Sequence, residues 1–315
     1  MTFNLATHFV RNDGRLTLTA IQQLQDMHRR IETSLQDQTH VVFVSKIGDD
    51  GNGGLNANDA LQTISAGVTK AAALVAAGIP SAKVHVLDGG EYVEDVTIPA
   101  NILLFAPAAI IRGELAVAAT AEIHLDRLIS TANNQNMLTL SDAADGSAIA
   151  RINVIDGRQH TGVKNVRNIG GGGKNLFVYA GLIFVGAGGT GIGDTSGGFG
   201  HIHFQVADLY LAGNNSVGIL GSAIGANASN LVGWIDHILP IAGATGTTAI
   251  SMTNVDAALK LVAAEIIADT AYNISAGNLY LACARVVGTR TGSPQTEITQ
   301  QALDALDARI TALGG

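Results

Sequence analysis

Two aspartates, Asp208 and Asp236, lie 28 residues apart and are the residues of this chain best placed to do chemistry. If they occupy the same position in neighbouring coils of a stacked β structure, they lie about 4.8 Å apart, one strand spacing. Carboxylates roughly 5–5.5 Å apart suit a retaining glycosidase, in which one acid stays protonated beside the charge of the other. The competing reading places both at solvent-facing corners. His201 and His203 project from one face of a strand, with His237 one coil further on, a pattern that suits a metal ion. No carboxylate or thiol stands at ligand spacing to complete that set, so no metal and no cofactor is expected. The glycine-rich stretches 169–177 and 191–200, the first with Lys174 after four glycines, lack the G-x-x-x-x-G-K-[ST] order of a phosphate loop and read as tight corners or long exposed loops.

Whether the aspartates meet depends on the elements that carry them. Five segments superimpose: 176–192, 203–219, 232–246, 260–274 and 280–292. With Ala180, Ala207, Ile235 and Ala263 as equivalents the steps are 27, 28 and 28 residues, then 19 to Ala282. Each copy runs strand, small residue, strand, Gly or Asp, polar turn. Two further copies stand upstream at 148–157 and 121–129. A period of this length with one supersecondary unit per repeat predicts a solenoid. Residues 84–125 add very short alternating strands broken at Gly89, Gly90, Pro99, Pro107 and Gly113.

The pattern V-x-V-x-x-G-x-Y-x-E-x-V-x-I-P-x-N-I-x-L from Val84 resembles the opening coils of right-handed parallel β-helices. That pectin-lyase-like superfamily includes pectin-degrading enzymes and bacteriophage tailspike and tail-fibre proteins. Trp234-Ile235-Asp236-His237 also resembles a pectate-lyase signature, but the companion R-x-P-x-x-R is missing, since Arg285 and Arg290 are spaced differently. The methylesterase sequence G-x-x-D-F-I-F-G has its nearest counterpart at Gly181–Gly186, without an acid. Aromatic residues are only 4% of the chain, which argues against a long sugar groove. The sequence therefore predicts a protein that binds rather than cuts.

The flanks read as assembly devices. Ile21, Leu24, His28, Ile31 and Leu35 follow the 3-4-3-4 spacing of a coiled-coil seam, and Leu303, Leu306, Ile310 and Leu313 repeat it at the other end. Such spacing allows a dimer or a trimer, and the family resemblance favours three chains. A helix is expected over 59–77, N-capped by Asn58 and stopped at Gly78 and Pro80, covering the first coil of a β-helix that spans 41–292. Residues 1–40 then form an attachment segment and 293–315 a trimerisation helix.

Composition points the same way. Only 14% of residues are charged against about 25% in ordinary domains, so copies of the chain are expected to cover one another. A net charge of -8 argues against nucleic acid or an anionic membrane as partner. The single Cys283 makes no intrachain disulfide. No signal peptide opens the chain, and the apolar run around Ala71–Ile79 is too short to span a bilayer. The resemblance thus implies a virion protein of a tailed phage. It would be a homotrimeric tail fibre or tailspike, docked to other virion proteins and contacting host polysaccharide or protein. A polysaccharide depolymerase and a capsid decoration fibre are the alternatives.

Overall fold

The computed structural model describes residues 40–140, 146–169, 174–194, 200–221, 230–294 and 296–299. Across them one sheet of nineteen strands runs from β1 (Val41–Val44) to β19 (Thr296–Thr299), and the strand pairings are parallel. In the middle of the chain β11 (Lys174–Val185) lies between β9 (Ser147–Asp156) and β13 (Gly200–Leu211). The shorter β12 (Thr190–Asp194) lies between β10 (Lys164–Asn168) and β14 (Val217–Gly221). Long strands thus pair with long ones and short with short, one coil apart, which is a solenoid.

Each coil has three faces. The register steps over Gly181, Ala207 and Asp236, so β11, β13 and β15 (Asn230–Pro240) each bend at that corner into a first-face and a second-face half. The short strands make the third face. In β17 (Ala258–Ile274) a single strand covers all three, pairing with β15, with β16 (Thr248–Met252) and with β18 (Asn278–Thr291). The upstream copies fall in register as expected, β7 (Glu122–Ile129) on β9 and on β5 (Ile102–Arg112).

Two of the expected equivalences are one residue off. Ala180 lies beside Val206, Val206 beside Ile235, Ile235 beside Ala263 and Ala263 beside Cys283, giving steps of 26, 29, 28 and 20 residues. Burial sets the register, and side-chain size does not. Val206 and Cys283 point into the core, while Ala207 is exposed.

The core is a set of inward columns. One reads Leu104, Ile123, Ala150, Val178, Phe204, Gly233, Leu261 and Leu281 on successive coils. Its largest member sits beside its smallest. A Cβ on Gly233 would lie 2.2 Å from the Phe204 ring, so the glycine is the space that the ring fills.

A second column turns the corner between the second and third faces. Asn134, Gly162, Gly188, Asn215 and Gly246 all have φ between 55° and 68°. The first four donate their N–H groups to Thr161, Ala187, Asn214 and Thr245 of the following coil. Glycine and asparagine adopt this left-handed conformation at least cost, which is why the five positions hold only these two residues.

The first helix starts later than the sequence suggests. Asn56 accepts the Asn58 N–H in a 3₁₀ turn at Ala57–Asp59, Asp59 accepts the N–H of Gly53, and Leu61 pairs in extended form with Val44. Helix α1 (Ile64–Ala76) is then N-capped by Thr63, not Asn58. Its first N–H groups are satisfied by Glu94, which accepts from Ile64 and Ser65 at 2.9 Å, and by Thr63. Ile64, Gly67, Val68 and Ala71 face the core, and a Cβ on Gly67 would lie 2.5 Å from Val44 Cγ2. Glu94→Ala orphans two donors and removes a charge that the helix dipole favours. It is expected to destabilise the fold by about 1–2 kcal/mol, read as a lower denaturant midpoint.

Gly191 and Gly193, expected in a corner or loop, are strand residues paired with β14, and they are glycine because carbonyls of Gly218 and Leu220 would come within 2.5–2.7 Å of any Cβ there. At the other end β19 lies within the expected C-terminal helix of 293–315, yet Thr296–Thr299 is a strand paired with residues 280–283 of β18. Both coiled-coil seams and His28 lie outside the described residues.

Candidate functional site

Alternation along a strand sends every second residue outward, and stacking turns those residues into columns. On the first face one outer column reads Phe43, His85, Phe105, His124, Arg151, Tyr179, Gln205, Trp234 and Val262. A second, two residues earlier on each strand, includes Glu122, Ile149, Phe177, His203, Val232, Lys260 and Tyr280. Neighbouring rings touch. Phe43–His85, His85–Phe105 and Phe105–His124 have centroids 5.9, 5.3 and 5.6 Å apart, and His203 stacks on Phe177 at 4.7 Å and 14°. The low aromatic fraction therefore misleads, because register gathers the rings of Phe43, Phe105, Phe177, Tyr179, Trp234 and Tyr280 on one face.

Two depressions open in this face. The larger, about 540 Å³, is lined by Phe177, His203, Val232 and Trp234. The other, about 500 Å³, follows the corner, where Gly181 and Ala207 carry little bulk between Asn153 and Asp236. Tyr179, Gln205 and Trp234 border both and stand between the two halves of this grooved stretch of the face. Trp234 is 56% exposed, and its indole N–H donates to Asp236 Oδ1 at 3.2 Å. Three coils from Trp234, Arg151 lies over the Tyr179 ring, 5.1 Å from its centroid, and donates to Glu122, which also meets His124 at 2.9 Å.

The sequence candidates sort differently. Asp208 does not stack on Asp236. It lies beside His237, with Asp208 Oδ1 2.7 Å from His237 Nδ1, while Asp236 lies beside Ala207. The column continues to Glu265 and Arg285, which form an ion pair. What looks like a carboxylate pair is a carboxylate–imidazole pair beyond the corner and a carboxylate–indole contact in the groove, so the two acids are not set against each other as the acid and nucleophile of a glycosidase. His203 faces Val232 in the next coil, not His237. Among the described residues no group of three His, Cys, Asp or Glu side chains is arranged to hold a metal.

The two outer columns carry Lys83, Arg151 and Lys260 with His85, His124 and His203 against Glu122, while the groove itself is lined by Arg151, which is paired with Glu122, and by Asp236. Burial against the rings pushes the His85 imidazole below its ordinary pKa, helped by Lys83. His203 is lowered in the same way, first by burial and then by His201.

Fold and site together define a three-faced parallel β-solenoid that carries an aromatic groove on its first face. No family model, no curated protein and no solved structure matches this chain.

Proposed function

We propose that the protein is an attachment protein of a tailed bacteriophage, a homotrimeric tail fibre or tailspike built on a right-handed β-helix of the pectin-lyase-like type. The observation that carries this reading is the Tyr179–Gln205–Trp234 groove, a recognition surface on a stack that a spike would use as its shaft. In this reading residues 1–40 dock on other virion proteins, α1 covers the first coil, and the seams at 21–35 and 303–313 hold three copies together. Assembly takes place in the host cytoplasm and the working location is the virion. Trimerisation places three grooves on one particle appendage, which multiplies weak contacts.

A depolymerase is the second reading, favoured by Asp236, whose carboxylate borders the groove. It is the weaker of the two, because Asp208 is engaged by His237 on the other side of the corner.

The test is location. Gold-labelled antibody raised against the purified chain is expected to decorate a fibre or spike of intact particles in negative stain. Labelling confined to the capsid surface would assign it to a decoration fibre, and particles that carry none of the chain would overturn the proposal.

A further inference from the structure

Among the described residues only the second face carries large apolar side chains in an unbroken outward run over five coils. Phe184 pairs with Tyr210, Tyr210 with Leu239 and Ile267 with Val287, and the Ile238–Ile266 pair sets Leu239 beside Ile267. The first four are half-buried and Val287 is 39% exposed. The run begins where Arg158, held by Asp156, lies over the Phe184 ring at 3.8 Å. On the first face His203, Gln205 and Lys260 break the corresponding runs, and on the third Leu220 is followed by Ser251 and Asn273.

We propose that this strip of the second face is the surface on which copies of the chain meet, turned toward the axis of the homotrimer, so that each coil contributes one layer of three like residues. The inference rests on the trimeric reading and adds to it the face that is covered. The first face, with its groove, is left on the outside.

The column beside the strip is charged, but its charges are partnered within the chain. Asp208 Oδ1 lies 2.7 Å from His237 Nδ1, and Glu265 forms an ion pair with Arg285. Covering them leaves no lone charge in the interface, which is the costly case. The chain also leaves the solenoid on this side. Thr299 pairs with Cys283, the last residue before β18 turns the corner onto the second face. Residues 300–315, with Leu303, Leu306, Ile310 and Leu313, therefore start at the foot of the strip.

Size decides how much the strip does alone. Four strand spacings make it about 19 Å long between its end residues. At two side chains' width it covers on the order of 300 Å² per copy, against roughly 800 Å² per partner in a stable interface. The strip thus aligns the three shafts coil by coil, and the seams at 21–35 and 303–313 supply the rest of the contact.

The test is disulfide trapping in the full-length protein. Leu239→Cys and Val287→Cys each place a thiol on the strip, Val262→Cys places one on the first face and Ser251→Cys one on the third, while Cys283 stays buried. Each variant is checked by circular dichroism, sedimented, oxidised with copper phenanthroline at micromolar concentration and run on a non-reducing gel. The expected result is a species of about three times 32.3 kDa in which the two strip variants form linked pairs at least tenfold faster than Val262→Cys or Ser251→Cys. Leu239→Lys, which sets three cations in one layer, is expected to weaken association at least tenfold, while Ser251→Lys leaves it unchanged. A trimer whose strip thiols do not link, or link no faster than the other two, would overturn the inference and leave trimerisation standing. Unchanged association of Leu239→Lys would overturn it as well. A parent chain that sediments as a monomer removes trimerisation and the interface together.

Discussion

Gly233→Val is expected to destabilise the solenoid by about 2–4 kcal/mol, at the upper end of what overpacking does. The new Cβ would lie 2.2 Å from the Phe204 ring, and both residues sit in an inward column between full coils. The ring has nowhere to go, because Phe204 is 5% exposed and Val178 and Leu261 occupy the positions to either side of the pair. Differential scanning calorimetry should show a fall in Tm of about 3–6 °C for a chain of this size. Adding Phe204→Leu should recover more than half of that loss, since the two sites share one space and their effects are coupled. A Gly233→Val protein with unchanged Tm would mean that the column is not packed as described.

The second large effect concerns assembly. Replacing Leu24 and Ile31 together by aspartate is expected to break the proposed trimer. Six carboxylates would enter one seam, and a buried charge without a partner costs several kcal/mol. Even after partial relief by protonation, association should weaken by ~10³-fold or more, since each 1.4 kcal/mol is a factor of ten. Sedimentation of the parent chain should give about three times its 32.3 kDa mass, and the variant should sediment as smaller species at micromolar concentration. A parent chain that sediments as a monomer would remove trimerisation from the account.

The stacking was legible in the sequence because a solenoid repeats its pattern. Alternation at 176–185, 203–211 and 231–239 and the glycine or asparagine at each corner recur with every coil, so period and coil order could be read directly. Exact register could not. Ala207 and Ala282 share the size of their supposed equivalents, but only burial shows that Val206 and Cys283 are the inward residues. That single-residue shift turns Asp208 away from Asp236 and towards His237. The groove was hidden for the same reason. Tyr179, Gln205 and Trp234 are far apart in sequence and come together only when the steps of 26 and 29 residues are known. Helix α1 was found but misplaced at its start, because its N-terminal donors are met by Glu94 on a later coil, a partner that local capping signals do not reveal.

The central claim is that this solenoid adheres without cutting, and incubation of the purified protein with host capsule or lipopolysaccharide tests it most directly. Two quantities are followed together, retention of the polysaccharide on immobilised protein and release of reducing ends. The expected result is saturable retention with reducing ends no higher than in a protein-free control. Sustained release of reducing ends that disappears in Asp208→Ala or Asp236→Ala would contradict the account and make the protein a depolymerase.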